Sequence, residues 1–229
     1  LPVAPAEATL CFGCDQAQAL RHLHTWGAQP LPLNASGWVP DGTQAGSTST
    51  STSTSTSGGA GTLYVRLRGA VAAVEAACRT LGGERLDNAA AAAHWAACRE
   101  QQLPWFAARA QQPGLDVWRL SLPATAPVLA LPAGVAPPLI EWHGALRWVQ
   151  AGREHAAALH AAAAQVGGSA SLFIAGSAGP ASAGGHFDPI SAAQRRIHER
   201  LANSFDPAGI FNPGRMGWPR EPPAGGAAL

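Results

Sequence analysis

The sequence predicts an α+β fold made of ferredoxin-like split βαβ units, an antiparallel sheet with helices on one face. Three observations predict it. "TLYVRLRG" (Thr62–Gly69) alternates Leu63, Val65 and Leu67 against Tyr64, Arg66 and Arg68, the period of a half-buried strand. Residues 8–87 read in the order β-α-β-β-α-β, which is the split βαβ pattern. The rest of the chain repeats strand and helix signals in a looser form, so two such halves sharing one sheet are expected.

The elements follow in order. "ATLCFGC" (Ala8–Cys14) is strand-like, and Asp15 is placed to cap the helix "QAQALRHLHTW", where Ala19, Leu20, Leu23 and Trp26 recur at helical spacing. Gly27 ends that helix. "PLPLNASGWV" (Pro30–Val39) is extended, and "AVAAVEAACRTLGG" is a helix closed by Gly82 and Gly83 before the short strand "ERLD". Between the two central strands lies "GSTSTSTSTSTSG" (Gly46–Gly58). It has no apolar side chain to bury, so it reads as a disordered hairpin insertion, and closure entropy tolerates such length. A helix is expected over Asn88–Ala108, with Trp95, Leu103 and Phe106 on its apolar side. "DVWRLSLP" (Asp116–Pro123) is a strand, and "PLIEWHGALRWVQ" (Pro138–Gln150) is a hairpin turning near His143 and Gly144. "EHAAALHAAAAQVGG" is a helix, "SASLFIAG" a strand, and a last helix runs from Ser191 to Phe205. It stops at Asp206-Pro207, because a residue before proline disfavours helical geometry. Ile210 and Phe211 can anchor the turn that follows in a core.

Composition excludes several chemistries. The 229 residues are 47% hydrophobic, enough for a sizeable core. Only 13% are charged and the net charge is +1, with the arginines scattered, so bulk electrostatics point to no nucleic-acid partner. There is no lysine: all fifteen Lys+Arg positions are arginine. Schiff-base catalysis and the phosphate-binding P-loop both need a lysine, and this chain can perform neither. Four cysteines are too few for a disulfide scaffold, and with no long apolar run for a transmembrane segment a cytosolic setting is the default expectation. Cys11 and Cys14 form C-x-x-C, but on a strand a separation of three sends them to opposite faces. The eight histidines show no metal-binding spacing, and no G-x-S-x-G or G-x-G-x-x-G occurs. Arg119 lies in "WRLSLP", where its guanidinium fork could clamp a carboxylate, or simply face solvent or pair with Glu141. In "FDPAGIFNPGRM", Asn212, Pro213, Gly214 and Arg215 form a braced turn that can bring donors close to a flat ligand, or serve only as a C-terminal clasp.

"RRIHERLANSFDPAGIFNPGRM" resembles the C-terminal signature of FAD-linked oxidases of the vanillyl-alcohol-oxidase type, in the branch of the bacterial glycolate oxidases. "QPLPLNASGW", "VRLRGAVAAVEAACRTLGGERLD", "WRLSLPATAP" and "EWHGALRW" are similar to the FAD-binding E subunits of that branch. The resemblance covers most of the chain apart from the Ser/Thr tract and the tail after Met216. It implies a cap domain over residues 1–190, a C-terminal helix and return turn over 191–216, and a flexible tail over 217–229. It implies FAD as cofactor and a small 2-hydroxy acid, glycolate going to glyoxylate, as substrate. Partners would be a catalytic flavin subunit and an iron–sulfur subunit, through which the protein would sit peripherally at the inner membrane. By the same resemblance Asn212, Pro213, Gly214 and Arg215 would lie beside the flavin, and Arg119 would face the substrate. The chain starts at Leu1 and shows no Gly-rich flavin-binding loops, so the flavin domain is expected upstream, and the fragment is expected to be inactive alone. The H-x-H-x-G-D-G segment of the family's catalytic subunits is missing, so no catalytic residue is assigned. Two other roles fit the same residues: an FAD-linked oxidase of another 2-hydroxy acid, or a non-catalytic assembly module.

Overall fold

The computed structural model describes residues 3–42, 59–112, 114–176 and 190–211. Two compact units are present, Leu1–Ala178 and Gly179–Leu229.

The first unit opens with β1 (Ala6–Asp15), α1 (Gln16–Gly27), β2 (Leu33–Pro40), β3 (Ala60–Gly69), α2 (Val71–Leu81) and the short β4 (Glu84–Arg85). Asp15 closes a capping box: Oδ1 accepts from the Gln18 N–H at 2.7 Å, and Gln18 Oε1 accepts from the Asp15 N–H at 3.0 Å. The strands run in the order β4-β1-β3-β2, all antiparallel, as a split βαβ unit requires.

The second half has β5 (Asp116–Ser121), β6 (Leu139–Glu141), β7 (Leu146–Ala151), α5 (Ala156–Gln165) and β8 (Ser169–Ile174). Its order, β6-β7-β5-β8, is the same topology read from the other end. The first crossover is different: residues 122–138 contain no helix, because prolines at 123, 127, 132, 137 and 138 withhold the N–H groups a helix needs. The two halves join where β2 pairs with β6, Trp38 opposite Ile140 and Gly37 opposite Glu141, giving one eight-stranded antiparallel sheet.

The α+β class and the split βαβ units are therefore as predicted, whereas the helices occupy both faces rather than one. α1 and α2 cover one face, where Leu10, Leu23, Trp26, Trp38, Leu63, Val65 and Leu67 are buried together. The crossover loop and α5 continue that layer over Trp118, Leu120, Val149, Leu159 and Ala163. The opposite face is packed by α3 (Asn88–Arg99) and the single turn α4 (Pro104–Ala107) against Val39, Val117, Leu139 and Trp148. The polar side of β3 hid this layer. Tyr64 stacks on His94 with ring centroids 3.9 Å apart, and the Arg66 guanidinium lies 5.0 Å from the Trp95 ring. Both residues look solvent-facing in sequence, yet each offers a flat surface that a helix can cover.

The helix expected over 88–108 breaks in two. Gln101 takes φ 52°, and Pro104 begins α4, where its missing N–H does no harm. Cys11 and Cys14 do point to opposite faces: Cys11 sits opposite Tyr64, and Cys14 packs with the α1/α2 core. Burial pushes each thiol up to about 11, which removes the thiolate needed for redox or metal chemistry near neutrality. The Ser/Thr tract lies outside the described residues.

In the second unit, α6 (Ala192–Phe205) is capped by Ser191, whose Oγ accepts from the Gln194 N–H at 3.2 Å. The Asp206 carboxylate then ties the turn, accepting from the Ile210 N–H at 3.1 Å and the Phe211 N–H at 3.0 Å. Ile210 and Phe211 do not anchor a core among the described residues; they are 69% and 67% exposed, and the turn is held by Asp206 instead.

Candidate functional site

Among the described residues, the sheet face that carries α3 and α4 is left open toward β5 and β8, where Arg119 and Phe173 are exposed. Residues opposite one another in an antiparallel pair share a face. Arg119 is opposite Trp148 on β7 and Ser171 on β8, and Leu139 is opposite Trp148 on β6. A row of four side chains thus crosses four strands, with Arg119 exposed and Leu139 and Trp148 buried. Phe173 stands two residues beyond Ser171 on the same side, 48% exposed, with its ring 4.8 Å from that of Trp148. Phe106 of α4 closes on Trp148 edge to face at 5.5 Å, so the indole is clamped between an element of the covering layer and an open aromatic.

Glu141 completes the patch. Its Oε2 accepts from the Trp148 indole N–H at 2.7 Å. Burial pushes the Glu141 carboxyl above the usual carboxylate range, and the indole bond acts against that shift. Glu141 is therefore taken by Trp148 and does not pair with Arg119, whose guanidinium makes no ion pair among the described residues. An exposed guanidinium beside two aromatic rings can bind a small carboxylate and hold a flat group against the sheet.

Phe173 was not singled out in the sequence, and Glu141 was named there only as a possible partner of Arg119. The hairpin itself held the signal for Glu141: a turn at 142–144 sets Leu139 opposite Trp148 and Glu141 opposite Leu146, which brings Glu141 and Trp148 to one face. The hairpin turns at His143 and Gly144 as expected, and Trp142 and His143 lie in it with φ 52° and 53°. The His143 N–H donates to Ser36 Oγ at 2.9 Å, while Trp142 is 74% exposed.

At the rim of β5, Asp116 is held by a two-point contact: Arg153 Nε donates to Oδ2 at 2.6 Å and a terminal guanidinium nitrogen to Oδ1 at 3.1 Å. The Gly176 N–H donates to Oδ1 at 2.7 Å. Burial works against the charged carboxylate, but Arg153, the Gly176 N–H and Arg109 outweigh it and hold Asp116 below the usual range.

Asn212, Pro213, Gly214 and Arg215 lie outside the described residues. Among the described residues no group of three His, Cys, Asp or Glu side chains is placed to hold a metal ion, and no helix is long and apolar enough to cross a membrane.

No protein-family model matches the chain, and no solved structure matches it. Over 216 residues, 94% of its length, the chain is 35% identical to the glycolate oxidase subunit GlcE of Escherichia coli (strain K12). It spans about half of that relative's own length, 50%.

Proposed function

We propose that this chain is the cap portion of the FAD-binding E subunit of a glycolate oxidase, working in the oxidation of a small 2-hydroxy acid. The observation that carries the reading is the 35% identity with a glycolate oxidase subunit across 94% of the chain. The open sheet face supports it chemically. FAD, when bound, would supply the two-electron acceptor for the oxidation. The fit of the described residues to that cofactor is to its flat ring end: the half-exposed Phe173 ring, backed by the buried Trp148 indole, offers an aromatic surface. A cradle for the diphosphate is the role proposed for other parts of the protein, and Asn212, Pro213, Gly214 and Arg215 are proposed to hold the flavin or its linker.

The chain's own residues would bind, orient and exclude water. Arg119 would take the substrate carboxylate in its fork, with the charge on both partners shortening and strengthening the bonds. Trp148, fixed by Glu141 and Phe106, would keep the neighbouring surface rigid and dry. Glu141, engaged by the indole, would be a positioning residue. In this reading a catalytic flavin subunit and an iron–sulfur subunit are the partners.

A second reading is favoured by one observation. α6 exposes Ile197 (57%), Leu201 (52%) and Phe205 (83%) at a spacing of four, an apolar stripe on an otherwise charged helix. Such a stripe suits a non-catalytic assembly module of the oxidase complex.

The deciding experiment is purification of the complete subunit with its partners, followed by absorbance spectroscopy. The proposed function predicts flavin absorbance that bleaches on adding glycolate. A complex that assembles and carries no flavin on this subunit supports the module instead. Flavin that bleaches with a different 2-hydroxy acid and not with glycolate keeps the oxidase and changes its substrate.

A further inference from the structure

On the α1 side of the sheet a groove of about 360 Å³ lies between α1 and the start of the proline-rich crossover. Six of its nine lining residues are apolar, Leu20, Pro127 and Val128 among them, and none is acidic. Arg21 and His24 stand on the α1 wall, three residues apart and so neighbours on one helix face. Neither makes an ion pair among the described residues. The volume is in the range of small-molecule sites, which pair apolar walls with a few polar groups.

The far wall is polarised from beneath. Arg147 is fully buried, and its only acceptors among the described residues are main-chain oxygens: those of Ala126 and Pro127, each at 2.6 Å. Among the described residues no carboxylate faces this guanidinium, and its Nε has no partner. A trans peptide carries its C=O and N–H in opposite directions. Because the Pro127 C=O turns down to Arg147, the Val128 N–H turns away from it, on the residue that lines the groove. That N–H takes no acceptor among the described residues. An amide donor polarised by the buried Arg147, the Arg21 guanidinium and the His24 imidazole therefore accompany one apolar groove.

We infer that this groove is a binding site for a small organic carboxylate with an apolar body. The carboxylate would be received by Arg21, His24 and the Val128 N–H, and the body would lie on Leu20 and Pro127. The site is on the sheet face opposite Arg119, and it does not depend on the proposed oxidase reading.

Isothermal titration of the chain with benzoate, and separately with inorganic phosphate, tests it. Saturable benzoate binding tighter than phosphate binding is expected. Arg21→Gln is expected to weaken benzoate at least ten-fold, and Val128→Asp, which sets a carboxylate in the groove, to abolish it. Both positions are exposed, so the variants should keep the wild-type circular dichroism and Tm. Absence of saturable benzoate binding overturns the inference. So does benzoate binding that survives both substitutions, and so does phosphate binding as tightly as benzoate.

Discussion

The Trp148 indole N–H donates to Glu141 Oε2 at 2.7 Å, a bond that ties β7 to β6 on the open face of the sheet. The carboxylate it uses is partly desolvated, and burial raises its pKa. The native state therefore holds the proton at pH values where the unfolded chain has lost it. For such a group stability falls as pH rises from the ordinary Glu range through the raised value. Glu141→Gln keeps an acceptor and removes the ionisation. Its Tm should equal or exceed wild type near pH 7, with the gap closing toward about pH 4. Glu141→Leu instead orphans the indole N–H and should lose about 1–3 kcal/mol. Thermal melts of both variants at the two pH values check the pair, and a Gln variant less stable than Leu would refute it.

Asp116 has the opposite sign. It is 2% exposed, and Arg153, Gly176 N–H and Arg109 overcome its burial to lower its pKa. A depressed carboxylate contributes stability that is present above its unfolded pKa and lost as pH falls through the folded one. Asp116→Asn should cost about 1–3 kcal/mol near pH 7, the low side for a buried pair because Arg153 keeps a third of its side chain in water. That is a Tm drop of several degrees for a domain of this size. The deficit should shrink below about pH 4, where wild type loses the charge as well. A deficit independent of pH would show that shape, not charge, is what Asp116 contributes.

Adjacent glycines after α2 separate two kinds of strain. Gly82 and Gly83 both have positive φ, 68° and 81°. A Cβ on Gly82 would meet nothing within 4 Å, whereas one on Gly83 would fall 2.5 Å from the Phe12 ring and 3.0 Å from the Cys11 carbonyl oxygen. Gly82, at φ 68° and ψ −146°, sits in a region essentially reserved for glycine, so Gly82→Ala should cost that backbone penalty alone, about 1–3 kcal/mol. Gly83→Ala adds a clash with the β1 backbone and should cost about 1–3 kcal/mol more. Urea denaturation of the two variants gives the difference directly, and equal losses would remove the role assigned to Phe12.

The limits of sequence legibility can be traced to particular residues. The strand and helix order was readable because each period is local: Leu63, Val65 and Leu67 alternate, and Ala19, Leu20, Leu23 and Trp26 repeat at helical spacing. The second helical layer was not, because Tyr64 and Arg66 count as polar in a pattern but are covered as flat surfaces by His94 and Trp95. The break near Pro104 was signalled by the proline itself, against an alanine-rich run that favours helix. The exposed position of Arg119 followed from strand alternation. Its neighbours Phe173 and Ser171 come from a strand more than fifty residues away, and register between distant strands is not written in either segment. The origin of the Asp206 turn was partly legible: Asp-Pro marked a helix stop, but the acceptance of two later N–H groups by one carboxylate depends on three-dimensional closure.

The return turn offers a direct test of the cofactor reading. Asn212→Ala combined with Arg215→Ala should lower flavin retention in the purified complex while leaving the melting of the chain unchanged. Flavin is quantified by absorbance against protein concentration. Full flavin content in the double variant would remove these residues from the cofactor site.

Arg119 carries the substrate prediction. It is an exposed cation on a strand whose neighbours Trp118 and Leu120 are buried, and no acid among the described residues occupies it. A hydrogen bond to a charged group is worth about 1.5–3 kcal/mol, or roughly ten- to a hundred-fold in affinity. Arg119→Gln in the complete complex should raise KM for glycolate by about that factor. Fold and flavin content should not change, because the side chain supports no packing. A solvent-facing arginine with no substrate role would leave KM unmoved. Arg119→Lys distinguishes charge from shape: a lysine keeps the charge without the two-pronged fork, so partial rescue is expected, and full rescue would mean that a bidentate contact is not made.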